Sequence, residues 1–375
     1  MESEQTRYPG LLPYTASSPK YRQIYEHLLR EITSGNLKAG ERMLSEKELC
    51  AVFAVSRITV KKALEMLAES RLISRHRGKG SFVEGPPAPQ GSRDAAPPRS
   101  IAFLAPGLND SFGNRLLYSV EAACGALGYR LILKLTRESP DEEEKALRDL
   151  DDNSVAGILM IPVHGEHYNA EILRQILNKR PLVFVDRKMR GLPVPSVTTD
   201  CVAAAETAVR ALLAHGHRDI AFYSWPVTHT STVEDRRQGF TRAFAGSGVS
   251  LDPAHICDNV PPADSLSAIR RHLSDHPRIS AAFTAQFEMA LLVRRALAYG
   301  GRRVRRNFEL ATFDRPDYAA EFPEFTCLRQ DEEAIGRQAV DVLHRIILGE
   351  LGCSIGDILV PAEMIPGNPP HSEKM

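Results

Sequence analysis

Short apolar runs separated by helix-length amphipathic segments dominate the sequence after residue 100. The first group is IAFLA, YRLILKL, GILMI and LVFVD, and the second is SVTTD, IAFYSW, AAFTA and ELATFD. Runs of this length between helical segments predict parallel β-strands joined by helical crossovers. Two groups of four strands predict two α/β lobes that face one another, with SVTTD as the first strand of the second sheet.

Polar and aromatic residues follow many of these runs, at the edge where a parallel sheet binds its ligands. A sugar hydroxyl both donates and accepts hydrogen bonds, so Asp, Arg and Gln side chains suit it, and a sugar ring packs on Phe or Trp. A single Asp or Arg at such a place is more often a helix cap or an ion-pair partner, but repetition at successive strand ends favours a shared ligand site. The candidate ligand-binding residues are Asn109, Asp110, Phe112, Asp186, Arg187, Trp225, Arg236, Gln286, Asp314 and Gln330.

The segment before the first run is basic, although the whole chain is neutral. Residues 20 to 84 contain 13 Lys and Arg against 8 Asp and Glu, whereas the rest of the chain contains 34 against 39. Such a density of cations suits the phosphate backbone of a nucleic acid, but a solvated helix face is the commoner explanation of a charged run. Charge alone leaves both interpretations open.

Three helices and a hairpin are predicted in this basic segment. Apolar residues recur at helical spacing from Tyr21 to Ile32. Ser45 forms a capping box with Glu48 at the start of a second helix, and Ser56 caps a third. LISRHRGKGSFV then predicts two strands around a glycine-bracketed turn. This order predicts a winged helix-turn-helix, whose third helix enters the major groove of DNA.

Residues on the outward side of these elements are candidates for contact with DNA. Arg57, in the first turn of the third helix, suits a guanine edge, whereas Ser45, Lys47 and Lys79 suit phosphates. Ile58 suits the methyl group of thymine. The candidate DNA-binding residues are Ser45, Lys47, Ser56, Arg57, Ile58, Thr59, Lys61, Lys62, Arg77 and Lys79.

Composition places the boundaries between these parts. PPAPQGSRDAAPP is rich in proline and lacks apolar periodicity, so it predicts a semi-extended linker. The predicted segments are a disordered tail at 1–18, a winged-helix domain at 19–85, the linker at 86–99, a two-lobed domain at 100–366 and a tail at 367–375. Lobe 1 is predicted at about 100–196 and 330–351, and lobe 2 at about 197–329 and 352–366.

The N-terminal module resembles the GntR family of bacterial regulators. The resemblance is carried by GNLKAGERMLSEKELCAVFAVSRITVKKALEMLAESRLISRHRGKGSFV and extends over about residues 19 to 84. It implies DNA contacts at Lys47, Arg57, Thr59, Lys61 and Arg77. Two positions depart from the family pattern, because Leu44 replaces a common proline and Ile58 replaces a frequent threonine.

The larger module resembles the LacI/GalR effector domain, which is related to the periplasmic sugar-binding proteins. The matching stretches are GYRLIL, VAGILMIP, PLVFVDR, LLAHGHRDIAF, DRRQGFTRAF, LATFD and RQDEEAIGRQAVDVL. The resemblance implies ligand contacts at Phe112, Asp186, Arg187, Arg236, Gln286, Asp314 and Gln330. The family commonly has Asn-Asp before its EMA segment, whereas this chain has Gln286 and Phe287, so a carboxylate is replaced by an aromatic ring.

The expected fold class is therefore α/β, with an N-terminal winged helix-turn-helix and a two-lobed periplasmic-binding-protein-like domain. The expected function is that of a ligand-responsive transcriptional regulator. The resemblance implies repression of a carbohydrate-utilisation operon, relieved by a sugar effector, and a homodimer that binds palindromic double-stranded operator DNA. The N-terminus lacks a secretory signal, so we expect a cytoplasmic protein without contact to a membrane.

Other classes of function stay open at this stage. A sugar-active enzyme is disfavoured because the chain has no phosphate-binding glycine loop and no G-x-S-x-G motif, so we assign no catalytic residue. Its six cysteines lack zinc or redox spacing, so we expect neither a metal nor a cofactor. A transport-type binding protein is disfavoured by the DNA-binding module. A purine, nucleoside or sugar phosphate is an alternative effector, because Phe112, Trp225 and Phe287 are rings that could stack on a base.

Overall fold

An N-terminal unit of three helices and a hairpin precedes two α/β lobes. The computed structural model describes residues 20–33, 36–70, 72–76, 79–84, 99–109, 112–150, 155–165, 169–226, 230–304, 307–351 and 356–368. The predicted N-terminal tail and nearly all of the predicted linker lie outside these residues, as do Arg77, Asp110 and residues 369–375. Gly367 and Asn368 of the predicted C-terminal tail are described and donate backbone hydrogen bonds to Thr326 and Pro323. The positions of the domain boundaries stay a prediction.

The N-terminal unit has the elements that the sequence predicts. They are α1 (Lys20–Thr33), α2 (Glu46–Phe53), α3 (Arg57–Glu69), β1 (Ile73–His76) and β2 (Gly80–Val83). The Ser45–Glu48 capping box and the Ser56 cap are both present, and β1 pairs with β2 antiparallel. The capping residues satisfy backbone N–H groups that a short helix otherwise leaves unpaired, so they define where α2 and α3 begin.

Strands and helices alternate through the rest of the chain. The elements up to the first crossing between the lobes are β3 (Ser100–Ala105), α4 (Asn114–Ala126), β4 (Arg130–Leu135), α5 (Pro140–Asp149), β5 (Gly157–Met160), α6 (Ala170–Leu177), β6 (Leu182–Val185) and β7 (Ser196–Thr199). The remaining elements are α7 (Cys201–Ala214), β8 (Ile220–Tyr223), α8 (Ser231–Phe244), β9 (Ile256–Cys257), α9 (Ser265–Asp275), β10 (Ala281–Thr284), α10 (Phe287–Tyr299), β11 (Glu309–Phe313), β12 (Thr326–Arg329), α11 (Glu332–Ile347), β13 (Ile358–Val360) and β14 (Glu363–Ile365).

These strands form two six-stranded sheets. Lobe 1 has the strand order β13-β7-β6-β5-β3-β4 and includes α4, α5, α6 and α11, whereas lobe 2 has the order β14-β12-β11-β10-β8-β9 and includes α7 to α10. All pairs are parallel except the one between β12 and β14. The predicted two-lobed α/β fold is therefore confirmed.

The prediction that SVTTD opens the second sheet is wrong. Strand β7 pairs in parallel with β6 and β13 within lobe 1, and all four of its residues are buried. A loop rather than a helix connects β6 to β7. This break in the alternation of strands and helices was interpreted as the start of a new sheet, but β7 continues the first one. Strand β13, which the sequence analysis assigned to lobe 2, also lies in lobe 1, because it pairs with β7. The chain therefore crosses between the lobes after β7, after β12 and between β13 and β14.

Close packing within lobe 2 depends on a glycine in α8. A Cβ atom at Gly239 would lie 2.3 Å from the Val202 carbonyl oxygen of α7, so any side chain there would push the two helices apart.

Among the described residues, no helix combines the length and the apolarity that a membrane span needs.

A buried carboxyl group joins α5 to the two following elements of lobe 1. Glu143 is 0% exposed, and its carboxyl oxygens accept hydrogen bonds from the Val163 N–H and from the Asn169 side-chain amide, each at 2.8 Å. Asn169 in turn caps α6 by accepting the Ile172 N–H at 2.9 Å. Burial raises the pKa of Glu143 to about 7, although the two donors oppose the shift.

The raised pKa predicts a pH-dependent stability that Glu143→Gln removes. The folded-state pKa exceeds the ordinary value of 4.5, so the stabilisation by the protonated carboxyl is complete below that value and lost as the pH rises through about 7. We expect the free energy of unfolding of the wild type to fall by up to roughly 3 kcal/mol relative to Glu143→Gln across this range. Denaturant titrations of both proteins measure it, and a difference that is constant with pH would contradict it.

Candidate functional site

The N-terminal end of α3 presents most of the candidate DNA-binding residues to solvent. The Arg57 side chain is 81% exposed, and Ile58 is exposed to the same extent. Ser45, Lys47, Ser56, Lys61, Lys62 and Lys79 are exposed, and Thr59 is half-buried. Lys62 lies over the Tyr21 ring, 4.0 Å from its centroid, and so points toward α1. The start of α3 thus exposes an apolar residue, Ile58, together with cations, a combination that suits base edges between phosphates.

An acidic residue that the sequence analysis missed binds Arg57 and a second arginine. Glu46, the first residue of α2, accepts a hydrogen bond from Arg57 Nε at 2.8 Å and another from Arg75 of β1 at 2.6 Å. It therefore connects the third helix with the hairpin. Arg75 belongs to the basic segment but was not chosen, because the sequence does not show which strand residue lies next to α2.

Two aspartates occupy equivalent places in the two lobes. Asp186 directly follows β6 and Asp314 directly follows β11, and both adopt positive φ angles of 60° and 69°. Non-glycine residues in this region cost about 1–2 kcal/mol each, and such strain is concentrated at functional sites. Both side chains are buried, and burial raises the pKa of Asp186 and raises that of Asp314 to about 6.

Arg236 of α8 is a buried cation beside Asp314. Its guanidinium donates to the Ala285 carbonyl at 2.6 Å, lies 3.8 Å from an Asp314 oxygen and stacks on the Phe313 ring at 4.1 Å. Burial raises the pKa of Asp186, and the charges of Arg187, 3.8 Å away in the same lobe, and of Arg236 in the other lobe oppose that shift. The site thus combines charges from both sheets.

Gln330 lies where the chain crosses between the lobes after β12. Its side-chain amide donates to Asp314 at 2.7 Å, and its carbonyl oxygen accepts from the Thr199 hydroxyl at 2.6 Å. Because Thr199 ends β7 of lobe 1, Gln330 links the two lobes beside the aspartate. Both of its polar ends are therefore engaged within the protein.

Arg187 is paired within lobe 1. Its guanidinium donates to Glu138 at 3.0 Å, to the Pro162 carbonyl at 3.0 Å and to His164 Nε2 at 3.1 Å. Glu138 reaches it from a turn in which Arg137 and Glu138 both have positive φ angles. The charge of Arg187 is therefore compensated by a carboxylate that the sequence analysis did not identify.

His164 forms part of the contact between the lobes. Its Nδ1 atom is hydrogen-bonded to the Thr230 hydroxyl at 3.0 Å, and the Lys188 N–H donates to the Ser231 hydroxyl at 3.1 Å. Burial and the neighbouring Arg187 lower the pKa of His164 to about 4, so its ring is neutral at physiological pH. Arg190 of lobe 1 adds an ion pair with Asp235 of α8 at 2.9 Å.

The remaining candidates for ligand binding have mixed surroundings. Asn109 is exposed and accepts the Phe112 N–H at 3.0 Å, so it shapes its own loop. Phe112 packs partly against the core of lobe 1. Trp225 is half-buried and donates to the Ser265 hydroxyl at 3.2 Å, and Gln286 precedes α10. Asp110 lies outside the described residues.

Phe287 is a core residue. It is fully buried, and its ring lies 5.6 Å from that of Tyr318, 6.0 Å from that of Phe322 and 5.7 Å from that of Phe325. The suggestion that Phe287 stacks on a ligand is therefore wrong. The aromatic ring that replaces the family's usual carboxylate faces the inside of lobe 2, where ring packing favours it.

Several buried polar atoms near the strand ends have no hydrogen-bond partner within the described protein. They belong to residues that follow four strands, β4, β6, β8 and β10, and to the α8 guanidinium. The atoms are Thr136 Oγ1, Asp186 Oδ1, Ser224 Oγ, Gln286 Oε1 and Arg236 Nε. A buried polar atom without a partner costs about 1–3 kcal/mol, so a group of them from both lobes indicates a place for a polar ligand.

Among the described residues, no group of three His, Cys, Asp or Glu is placed to hold a metal ion.

Two family models match this chain. Residues 20–83 match the bacterial regulatory proteins of the gntR family, and residues 99–362 match the periplasmic binding proteins and sugar binding domain of the LacI family. The arabinose metabolism transcriptional repressor of Geobacillus stearothermophilus is 24% identical over 93% of this chain and 97% of its own length. Catabolite control protein A of Priestia megaterium is 26% identical over 66% of this chain and 74% of its own length.

A solved structure has the same fold. The complex of the transcriptional regulator CelR with cellobiose superposes with a TM-score of 0.67 at 21% identity, covering 83% of this chain and 90% of that one. The second family model spans more than half of the present chain. The chain therefore belongs to the LacI family of periplasmic-binding-protein-like domains, here joined to a gntR-family DNA-binding domain, and it is a ligand-responsive transcriptional regulator rather than an enzyme.

Proposed function

We propose that this regulator is a dimeric repressor of a carbohydrate-utilisation operon, released from its operator when a neutral sugar binds between the lobes. The unpartnered buried atoms carry the proposal. Asp186 and Gln286 supply acceptors, Arg236 supplies a donor, and Ser224 supplies a hydroxyl that does both. A polyhydroxyl compound matches this mixture, and two of the similar proteins are named for arabinose and cellobiose.

The charges of the cleft favour a neutral effector over a sugar phosphate. Asp186 and Asp314 are both buried; Arg236 lies beside Asp314, and Arg187 lies 3.8 Å from Asp186. Arg187 is already paired with Glu138. A phosphate would meet two carboxylates in a medium where repulsion is weakly screened. A nucleobase loses one proposed stacking partner because Phe287 lies in the core.

Effector binding would act on DNA binding through the arrangement of the lobes. Closure around the sugar changes the orientation of lobe 1, to which the DNA-binding domain is attached, and so changes the spacing of two such domains in a dimer. A coupling of about 1–3 kcal/mol is typical and would change operator affinity by roughly 5-fold to 150-fold. Since the target is chromosomal DNA, we propose that the protein acts in the cytoplasm.

The first prediction from this proposal concerns base recognition. Arg57→Ala removes the side chain that we assign to a guanine edge, so specific affinity should fall by roughly 5-fold to 150-fold. Sequences selected from a random DNA pool by the wild type would serve as operator in fluorescence-anisotropy titrations. Arg22→Ala, an exposed arginine on α1, is the matched control. Unchanged specificity in Arg57→Ala, with sugar binding intact, would refute the assigned role.

We propose that lobe 1 contributes an apolar patch to the dimer interface. The α4 face and the neighbouring edge strand β4 expose large apolar residues, namely Tyr118 (73%), Leu127 (43%), Leu133 (37%) and Leu135 (43%). Strand β4 is at the end of its sheet, and natural proteins usually cover or charge such edges. A second copy related by a two-fold axis covers the same patch on both chains.

The second prediction tests this interface. Tyr118→Glu combined with Leu135→Glu places charges on the proposed apolar contact and should convert the dimer to a monomer in light scattering coupled to size-exclusion chromatography. Tyr299→Glu is the control, because this tyrosine is 59% exposed on lobe 2. A double variant that remains dimeric, or a wild type that is monomeric, would disprove the interface.

The third prediction identifies the effector class. Trp225 is the only tryptophan, so its fluorescence reports on lobe 2 during titration with arabinose, cellobiose, other neutral sugars, sugar phosphates and nucleosides. We expect saturable binding of one neutral sugar, reduced at least about tenfold in Asp186→Asn and in Asp314→Asn through the loss of hydrogen bonds to charged groups. Asp275→Asn, on the exposed end of α9, should bind normally. Binding confined to a phosphate or a nucleoside would contradict the proposal.

A further inference from the structure

Helix α6 is buried on two sides, although it lies on the outer face of lobe 1. Ile172 packs into the core of lobe 1, whereas Leu173 is 0% exposed and belongs to the apolar core of the N-terminal unit. Ile176 contacts both clusters, and α1 contacts α6 directly. A helix on the outside of a sheet usually leaves one side polar and solvated. The second side of α6 is instead covered by the DNA-binding domain.

The contact extends beyond Leu173. Leu177 and Leu192 of lobe 1 also pack against the core of the N-terminal unit. Tyr25 of α1 is buried, and the charge of Glu144 in α5 adds to the effect of burial in raising its pKa, so this ring lies close to lobe 1. We call the contact of α1 with Leu173, Ile176, Leu177 and Leu192 the docking seam.

A line of hydrogen bonds joins the seam to the cleft. The loop after β5 contains Val163 and His164. His164 contacts Arg187 of the same lobe and Thr230 of lobe 2. The Val163 N–H donates to Glu143, which also accepts from Asn169, the cap of α6. A shift of this loop therefore acts through one buried carboxyl group on the end of the helix that bears the seam.

We propose that the docking seam seats the DNA-binding domain on lobe 1 and that Glu143 is the positioning residue that connects this seat to the cleft. The domain then moves with lobe 1 as one body rather than at the end of a free linker. Docking leaves Arg57, Ile58 and Lys61 exposed, so it is compatible with DNA binding. The docking of the DNA-binding domain on lobe 1 does not rest on the proposed function. Only the idea that effector binding is transmitted through Glu143 rests on it.

Hydrogen exchange and small-angle X-ray scattering on the full chain test the docking. Leu173→Glu should increase amide exchange of α6 at least about tenfold, because undocking exposes a short helix. It should also increase the radius of gyration. Leu359→Glu is the matched control, since this leucine is 51% exposed on β13 of the same lobe. Leu173→Ala serves as a milder variant, and protection of β5 and β6 verifies that lobe 1 is folded. Unchanged scattering and exchange in folded Leu173→Glu would overturn the seam.

A second pair of variants tests the connection. Glu143→Ala removes the acceptor for Val163 and Asn169 without touching the DNA-binding domain, and it should accelerate exchange in α6 and enlarge the particle as Leu173→Glu does. Glu143→Gln should restore part of the protection, and Glu142→Ala, its exposed neighbour on α5, should have no effect. If amide exchange accelerates at Val163 while the exchange of α6 and the radius of gyration stay unchanged, the role of Glu143 is refuted. Neither experiment needs a sugar, so failure to find an effector leaves both results interpretable.

Discussion

Buried opposite charges gathered from two sheets are the constraint on which the rest of the structure depends. Arg236 lies on lobe 2 with Asp314 but also interacts electrostatically with Asp186 of lobe 1. A charge in a medium of low polarity is tolerated only beside compensating groups, and removing one partner leaves an uncompensated charge. The relative placement of the lobes and the chemistry of the cleft therefore have the same physical origin.

The surrounding contacts make this cleft sensitive to an occupant. Buried polar atoms that follow four strands, and one of α8, lack partners in the described protein, while His164 and Thr230 join the two lobes. A ligand that satisfies those atoms stabilises the closed arrangement by its differential contacts, which is the physical requirement for a conformational signal. Glu143 and α6 then offer a rigid route to the DNA-binding domain, because packed elements transmit displacement rather than absorb it.

Local sequence signals predicted the elements well. The Ser45 capping box and the Ser56 cap are visible because capping is satisfied by neighbours within four residues. The placement of Asp186 and Asp314 at buried strand ends follows from the same short patterns. The pairing of β7 was mispredicted, because a run of four residues does not show which sheet it joins. Phe287 was misjudged because burial against three distant rings has no signature at that position.

The sequence by itself determined the helix caps, most of the parallel strands, the exposed cations at the start of the third helix and the polar residues that follow many of the strands, since all depend on neighbours a few positions apart. Tertiary structure alone decided which of those residues share an environment. Glu46 accepts hydrogen bonds from Arg57 and from Arg75, which lies 29 positions further along the chain, and α6 meets α1 across more than a hundred positions. Such contacts depend on how whole elements pack, and packing is a property of surfaces that no local stretch of sequence contains.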